Sequence, residues 1–176
     1  MFKMNSYNLD ELIMRYGFGE RPRFYFFYGG IFSNWYEAPF VDNLGMKFAC
    51  TEQYMMYYKA LTFLDYEIAR QIMIETSPRE HKKLGRQVRN FDQQRWRSVA
   101  FDIVYQGNLF KYSQNEQLKY ELLSLYRDTI FVEASPSDEI WGIKKRGDDP
   151  DIYDPNNWKG LNLLGFVLTK VRDSLE

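Results

Sequence analysis

The chain has 176 residues, 18% of them aromatic and 27% charged, with a formal net charge of −1. That length suits one core and one domain, and the near-neutral balance excludes a global footprint for nucleic acid while leaving a local patch open. A single cysteine, Cys50, and a single histidine, His81, exclude a disulfide framework, a thiolate zinc site and a histidine metal centre, so neither metal nor cofactor is expected.

Asn8 to Tyr16 reads as a short packing helix, with Asp10 and Glu11 in its first turn and Gly17 as the residue that ends it. Phe24-Tyr-Phe-Phe-Tyr28 is a β-rich run closed by Gly29-Gly30. These two glycines lack the spacing of a dinucleotide or phosphate loop. Ile31 to Phe40 mixes large rings with Ser33 and Asn34, and Pro39 argues against a central strand. Val41 to Gly45 is turn chemistry, and Met46 to Cys50 alternates weakly. Residues 24–50 therefore read as a small, irregular antiparallel sheet that feeds a helix at Thr51.

That helix, Thr51-Glu-Gln-Tyr-Met-Met-Tyr-Tyr-Lys-Ala60, organises the rest. Thr51 is a suitable N-cap, and Glu52 falls at the positive end of the helix dipole, where a carboxylate is favoured. Lys59 lies seven residues on, so it shares a face with Glu52 about 10 Å along the axis. Aromatic and methionine side chains surround both. Charges on so apolar a helix must pair with each other or sit in a cleft, and this stretch alone leaves both readings open.

Asp65 caps a segment running to about Glu75, and Ser77-Pro78-Arg79-Glu80 carries the signature of a capping box. In the helix it opens, Leu84, Val88 and Phe91 share a face. Arg79, Lys82, Arg86 and Arg89 fall roughly opposite, a stripe that reads as a solvated face with a phosphate grip as its alternative. Asp92 caps the next helix, which carries Trp96 and runs to about Phe110. Asn115 to Tyr126 is another helix, and Thr129 to Ala134 is a strand that places Glu133 at its end. Ser135 to Pro155 is a loop holding Asp138 and Trp141. The last helix covers about Leu161 to Leu175. Asn162 at its start is either a backbone cap or a donor aimed at a ligand. The class is α+β, mainly α. No apolar run reaches signal-peptide or membrane-span length, so a soluble, cytoplasmic protein without membrane partners is expected, its oligomeric state open.

Trp35 follows Ser33-Asn34, Trp96 follows Asp92, and Trp141 follows Asp138-Glu139. Together they outline a pocket with flat ring walls and carboxylates at its mouth, suited to stacking a planar heterocycle.

Six separated stretches then occur in a recognisable order. They are Phe32 to Tyr36; Thr51 to Tyr54 with Lys59-Ala60; Leu84-Gly-Arg86; Lys111 with Gln114-Asn115; Val132 to Ser135 with Asp138 and Ile140 to Ile143; and Trp158 to Gly165 with Val171-Arg172. On these motifs the chain resembles the NADAR family, the YbiA-like N-glycosidases, from about Phe24 to Glu176, with residues 1–20 as an extension outside the resemblance. The resemblance implies a compact, mostly helical fold and hydrolysis of a ribose C1′–N bond. The implied substrate is a ribosylamino-pyrimidine phosphate intermediate of riboflavin biosynthesis, which would release ribose 5-phosphate. An ADP-ribosylated guanine base, free or in nucleic acid, is the alternative, and a non-catalytic nucleotide or ADP-ribose binding module is the rival from another class. The resemblance carries over Glu52, Lys59 and Asp138 as catalytic positions. It carries Trp96, Glu133, Trp141 and Asn162 over as substrate-binding ones, and Asn34 and Trp35 are expected to bind substrate beside them. Glu52, Lys59, Asp138 and Trp141 are expected to line one pocket. Two positions depart from the family pattern: Lys144 stands where a glycine is common, and Gln53 where many members have histidine.

The chemistry is consistent with that implication. Cleaving a ribose C1′–N bond builds positive charge on the sugar, which a carboxylate stabilises. A second acid protonates the leaving nitrogen. A desolvated lysine offers a Schiff-base route instead.

Overall fold

Capping residues set most of the helix boundaries, and the computed structural model, which describes residues 7–17 and 22–176, lets them be checked. The remaining positions, 1–6 and 18–21, belong to the expected N-terminal extension and its junction and lie outside the described residues. The described chain forms two compact units, one over residues 34–116 and one made of the preceding residues together with 117–176.

In the first unit, α2 (Thr51–Thr62) packs against α3 (Tyr66–Ile74), α4 (Pro78–Gly85) and α5 (Gln93–Gln114); α1 belongs to the second unit. Every residue from Thr51 to Met56 is buried, as its apolar surroundings required. Asp65 and Asp92 cap α3 and α5 as expected, their side chains accepting from the N–H groups of Ile68 and Arg95. Two other caps differ. Cys50, not Thr51, is the N-cap of α2, and Thr51 Oγ1 is buried with no hydrogen bond. Ser77 precedes α4 without a side-chain bond, and Glu80 pairs with Lys83 at 3.0 Å instead of closing a capping box. Helix α4 ends at Gly85, short of Val88 and Phe91, whereas α5 runs past Phe110 to Gln114.

Two short strands, β2 (Phe40–Val41) and β3 (Lys47–Phe48), pair antiparallel in this unit. Asp42 closes their turn by accepting from the N–H groups of Leu44 and Met46, each at 2.9 Å. Its other oxygen accepts from the Tyr58 hydroxyl at 2.7 Å, which fixes the hairpin to α2. Phe40, Phe48 and Tyr54 form the core beneath. Each such ring contributes roughly 1.5–3 kcal/mol by leaving water.

The second unit holds α1 (Leu9–Tyr16), β1 (Arg23–Phe27), α6 (Glu116–Leu123, all but its first residue), β4 (Thr129–Glu133) and α7 (Leu163–Leu175). Asn8 caps α1, and Gly17 ends it in the left-handed region, as expected. The aromatic run expected in an antiparallel sheet with residues 40–48 is β1, but it pairs in parallel with β4, Phe24 opposite Ile130 and Phe27 opposite Glu133. The expected antiparallel sheet is thus confined to β2 and β3. Residues Thr129 to Val132 are all buried, and a continuous apolar run of this kind suits parallel pairing under a helix. That helix is α7. Gly165 permits its close approach, since a Cβ there would fall 2.1 Å from the Phe131 carbonyl oxygen. Arg172 of α7, fully buried, donates to the Thr129 and Tyr126 carbonyls and to the Tyr16 hydroxyl. The architecture is α+β and mainly helical, as its sequence implied. No helix among the described residues is long and apolar enough to cross a membrane.

Candidate active site

In the first unit the start of α2 is braced to α5. The Glu52 N–H donates to the Asn34 carbonyl at 2.8 Å. The Asn34 side-chain oxygen accepts from Asn108 Nδ2 at 3.0 Å, and the same nitrogen reaches the Val104 carbonyl. Asn34, Glu52 and Asn108 are all buried. The brace fixes the backbone that carries the Glu52 carboxylate, so Asn34 positions Glu52.

Glu52 and Lys59 do not pair with each other. The Lys59 amine donates to the Gly85 carbonyl at 2.7 Å. It lies 4.4 Å from the centroid of the Phe91 ring and 5.8 Å from that of Trp96. Gly85 favours this close approach of α4 to α2: a Cβ there would fall 2.0 Å from Met56 Sδ, and that side chain would have to move. Desolvation lowers the Lys59 pKa. The Glu52 charge opposes that shift and the Arg86 charge adds to it. The result is a half-buried amine held nearer its neutral, nucleophilic form, on the helix that also bears a buried carboxylate.

Trp35 is 43% exposed, and the Lys82 ammonium stands 5.8 Å from its ring centroid. Lys111 on α5 is fully buried. Its ammonium is 5.6 Å from the Tyr36 ring and 4.9 Å from that of Tyr112, and burial pushes its pKa down to about 7. The only cysteine and histidine meet as well: Cys50 Sγ lies 4.0 Å from His81 Nδ1, both buried. Burial raises the thiol pKa and lowers that of the imidazole, so the pair is neutral and provides no thiolate nucleophile. Among the described residues no group of three or more His, Cys, Asp or Glu could hold a metal ion.

The second unit holds Glu133, Asp138, Trp141 and Asn162. Asp138 Oδ1 accepts from the N–H groups of Ile140 and Trp141, at 2.9 and 2.8 Å. One oxygen thereby shapes the loop, and Oδ2 is left without a hydrogen bond among the described residues. Trp141 is half-buried, and its carbonyl accepts from Leu164 N–H at the start of α7. Asn162 precedes α7 but makes no side-chain cap bond there; its side chain reaches the backbone of β4 instead. It is fully buried, its Oδ1 accepting from Glu133 N–H and its Nδ2 donating to the Phe131 carbonyl, both at 2.9 Å. It therefore orients Glu133. Lys144, in the position where a glycine is common, has φ 54°, a left-handed conformation that glycine adopts without strain.

The structure thus brings Asn34, Trp35, Glu52, Lys59 and Trp96 together in one unit and Glu133, Asp138, Trp141 and Asn162 in the other. Three contributors had no assigned role in the sequence reading: Phe91, Asn108 and Lys111. Phe91 had been placed on a core face, yet it is 45% exposed because α4 stops before it. The Asn90 turn signal that precedes it was the available hint. Lys111 lay within a recognised motif, but only burial distinguishes it from a surface lysine.

The model of the NADAR domain matches residues 25–176. The chain is 43% identical to N-glycosidase R617 of Acanthamoeba polyphaga mimivirus, covering 88% of this chain and 97% of that protein. It is 30% identical to the chloroplastic riboflavin biosynthesis protein PYRR of Zea mays, covering 68% of this chain and 19% of that one. Its fold matches the NMR structure of the E. coli protein YbiA with a TM-score of 0.70 and 25% identity, covering 89% and 87% of the two chains. With the motifs, the fold and a family model spanning most of its length in agreement, the chain belongs to the NADAR family.

Proposed function

We propose that this protein is an enzyme, an N-glycosidase that hydrolyses a ribose C1′–N bond. The observation that carries the reading is that one buried helix bears both Glu52 and an amine that binds a backbone carbonyl instead of Glu52 and lies near two aromatic rings. The N-glycosidase name of the mimivirus relative supports it. The proposed substrate is a ribosylamino-pyrimidine phosphate, consistent with the riboflavin pathway named for the maize relative, and the products are the free base and ribose 5-phosphate.

As the C1′–N bond breaks, its electron pair leaves with the nitrogen, and the Glu52 carboxylate stabilises the sugar cation. The departing nitrogen takes up a proton, and water adds at C1′ and loses one. Lys59 supplies a second route. Its neutral amine adds to C1′ of the ring-opened sugar, expels the base and forms an imine that water then hydrolyses. Trp35 and Trp96 offer flat rings for the planar base. The test is incubation of the pure protein with ribosylamino-pyrimidine phosphate and with ADP-ribosylated guanosine, side by side, with and without borohydride. Release of base from the first supports the proposed substrate, and release from the second alone supports the ADP-ribosyl alternative. No release from either, with the ligands bound, supports a binding module. Borohydride inactivation with a mass increase on Lys59 identifies the imine route.

A further inference from the structure

The basic stripe between Arg79 and Arg89 is divided by its partners. Lys83 is taken by Glu80 at 3.0 Å. Arg89 is taken by Asp65, whose two oxygens accept from its backbone N–H and its guanidinium. Arg79, Lys82 and Arg86 are left, and none makes an ion pair among the described residues; the two that lie beside the candidate site are Lys82 and Arg86. They are four residues apart, hence on one side of α4 and its C-cap. Both border groups of the candidate active site. Lys82 stands over the half-exposed ring of Trp35. Arg86 directly follows Gly85, whose carbonyl holds the Lys59 amine, and its charge is felt at that amine. Lys82 thus stands at one exposed indole, and Arg86 acts on the Lys59 amine. Of the nearby carboxylates, Asp65 and Glu80 are already engaged by Arg89 and Lys83, and Glu52 is buried. An accessible cation pair of this kind is available to an anion from outside the chain. Four residues rise about 6 Å along a helix, a span that one phosphate or the two phosphates of a diphosphate can bridge.

We propose that Lys82 and Arg86 form the anion subsite of this protein and grip the phosphate of a ribosyl phosphate ligand while its sugar faces Glu52 and Lys59. The sugar assignment rests on the N-glycosidase reading; the anion subsite rests on the unpaired cations. Arg86 supplies a planar fork for two phosphate oxygens, and Lys82 supplies a point charge.

Calorimetric titration with ribose, ribose 5-phosphate and ADP-ribose tests this on the wild type, Lys82→Gln, Arg86→Gln and the double variant. Both side chains lack ion pairs, so melting temperatures are expected to match the wild type, which serves as the folding control. The wild type is expected to bind a phosphorylated ligand more tightly than ribose. Each substitution should weaken that binding about tenfold, the scale of one charge-assisted hydrogen bond, and the double variant should no longer distinguish phosphorylated from plain ribose. Equal loss on ribose 5-phosphate and ADP-ribose supports a single phosphate contact; loss on ADP-ribose alone supports a diphosphate. A folded double variant that keeps its phosphate preference overturns the proposal, as does a wild type that binds neither phosphorylated ligand. If these losses occur but no substrate is turned over, the subsite stands and the N-glycosidase reading falls.

Discussion

Replacing Lys59 with alanine separates what the amine does for stability from what it does for chemistry. The amine makes one hydrogen bond, to the Gly85 carbonyl, and lies against the Phe91 ring. A hydrogen bond from a charged donor contributes about 1.5–3 kcal/mol, and a partly exposed cation–π contact about 0.5–1 kcal/mol. Lys59 is only half-buried, so water can reach the abandoned carbonyl and part of the loss is recovered. Desolvation of the amine also works against its contribution. The net destabilisation is then about 2 kcal/mol, which for a chain of this size lowers Tm by roughly 4–8 °C. Activity, by contrast, should fall at least about a hundredfold if the amine takes part in the reaction. The assay is turnover at a temperature well below the variant's own melting transition, with Tm measured by circular dichroism. Turnover within tenfold of the wild type in demonstrably folded Lys59→Ala protein would refute the catalytic role and leave a structural tether. In the wild type, the lowered pKa predicts that the rate rises with pH through a value below the ordinary 10.5 of lysine.

Glu52→Gln keeps the shape of the side chain, so it is expected to remain folded and to lose at least about a hundredfold in turnover, read by base release. Trp141→Ala should raise KM more than it lowers Tm, since stacking on one ring is worth about 1–3 kcal/mol; a large fall in Tm with unchanged KM would mark Trp141 as core. Lys144→Gly should leave Tm unchanged or raise it, because the left-handed backbone at φ 54° costs a non-glycine residue about 1–2 kcal/mol; a clear fall would contradict that conformation. Burial holds the Lys111 pKa at about 7 against an ordinary 10.5. The folded chain therefore binds fewer protons than the unfolded chain between those values, and stability rises with pH across that window. Lys111→Met should accordingly gain most in Tm at pH 6, with the gain shrinking toward pH 10.

Local signals were legible and long-range ones were not. Asp65 and Asp92 cap their helices because an Asx cap depends only on residues three positions away. Ser77 carried an equally good signature, yet Glu80 has a nearer partner in Lys83. The partner of β1 lies about a hundred residues away in β4, and nothing in the spacing of the first 50 residues reveals it. The same holds at the site. Glu52 and Lys59 could be named because one helix carries both. That the amine would turn to Gly85 depends on a glycine in another helix. The basic stripe was visible as composition, but its division into paired and unpaired cations required the positions of Asp65 and Glu80.

The contact at Gly85 makes helix spacing an input to acid–base behaviour. A methyl group there would meet Met56 Sδ, so even alanine must displace the Met56 side chain or shift α4 from α2. Where α4 shifts, the Gly85 carbonyl and the Arg86 charge retreat from Lys59 together, and water enters the gap. Each change brings the amine closer to an ordinary surface lysine. The smallest possible enlargement of one backbone position, on a residue with no titratable group, is thus expected to retune a proton equilibrium in the neighbouring helix.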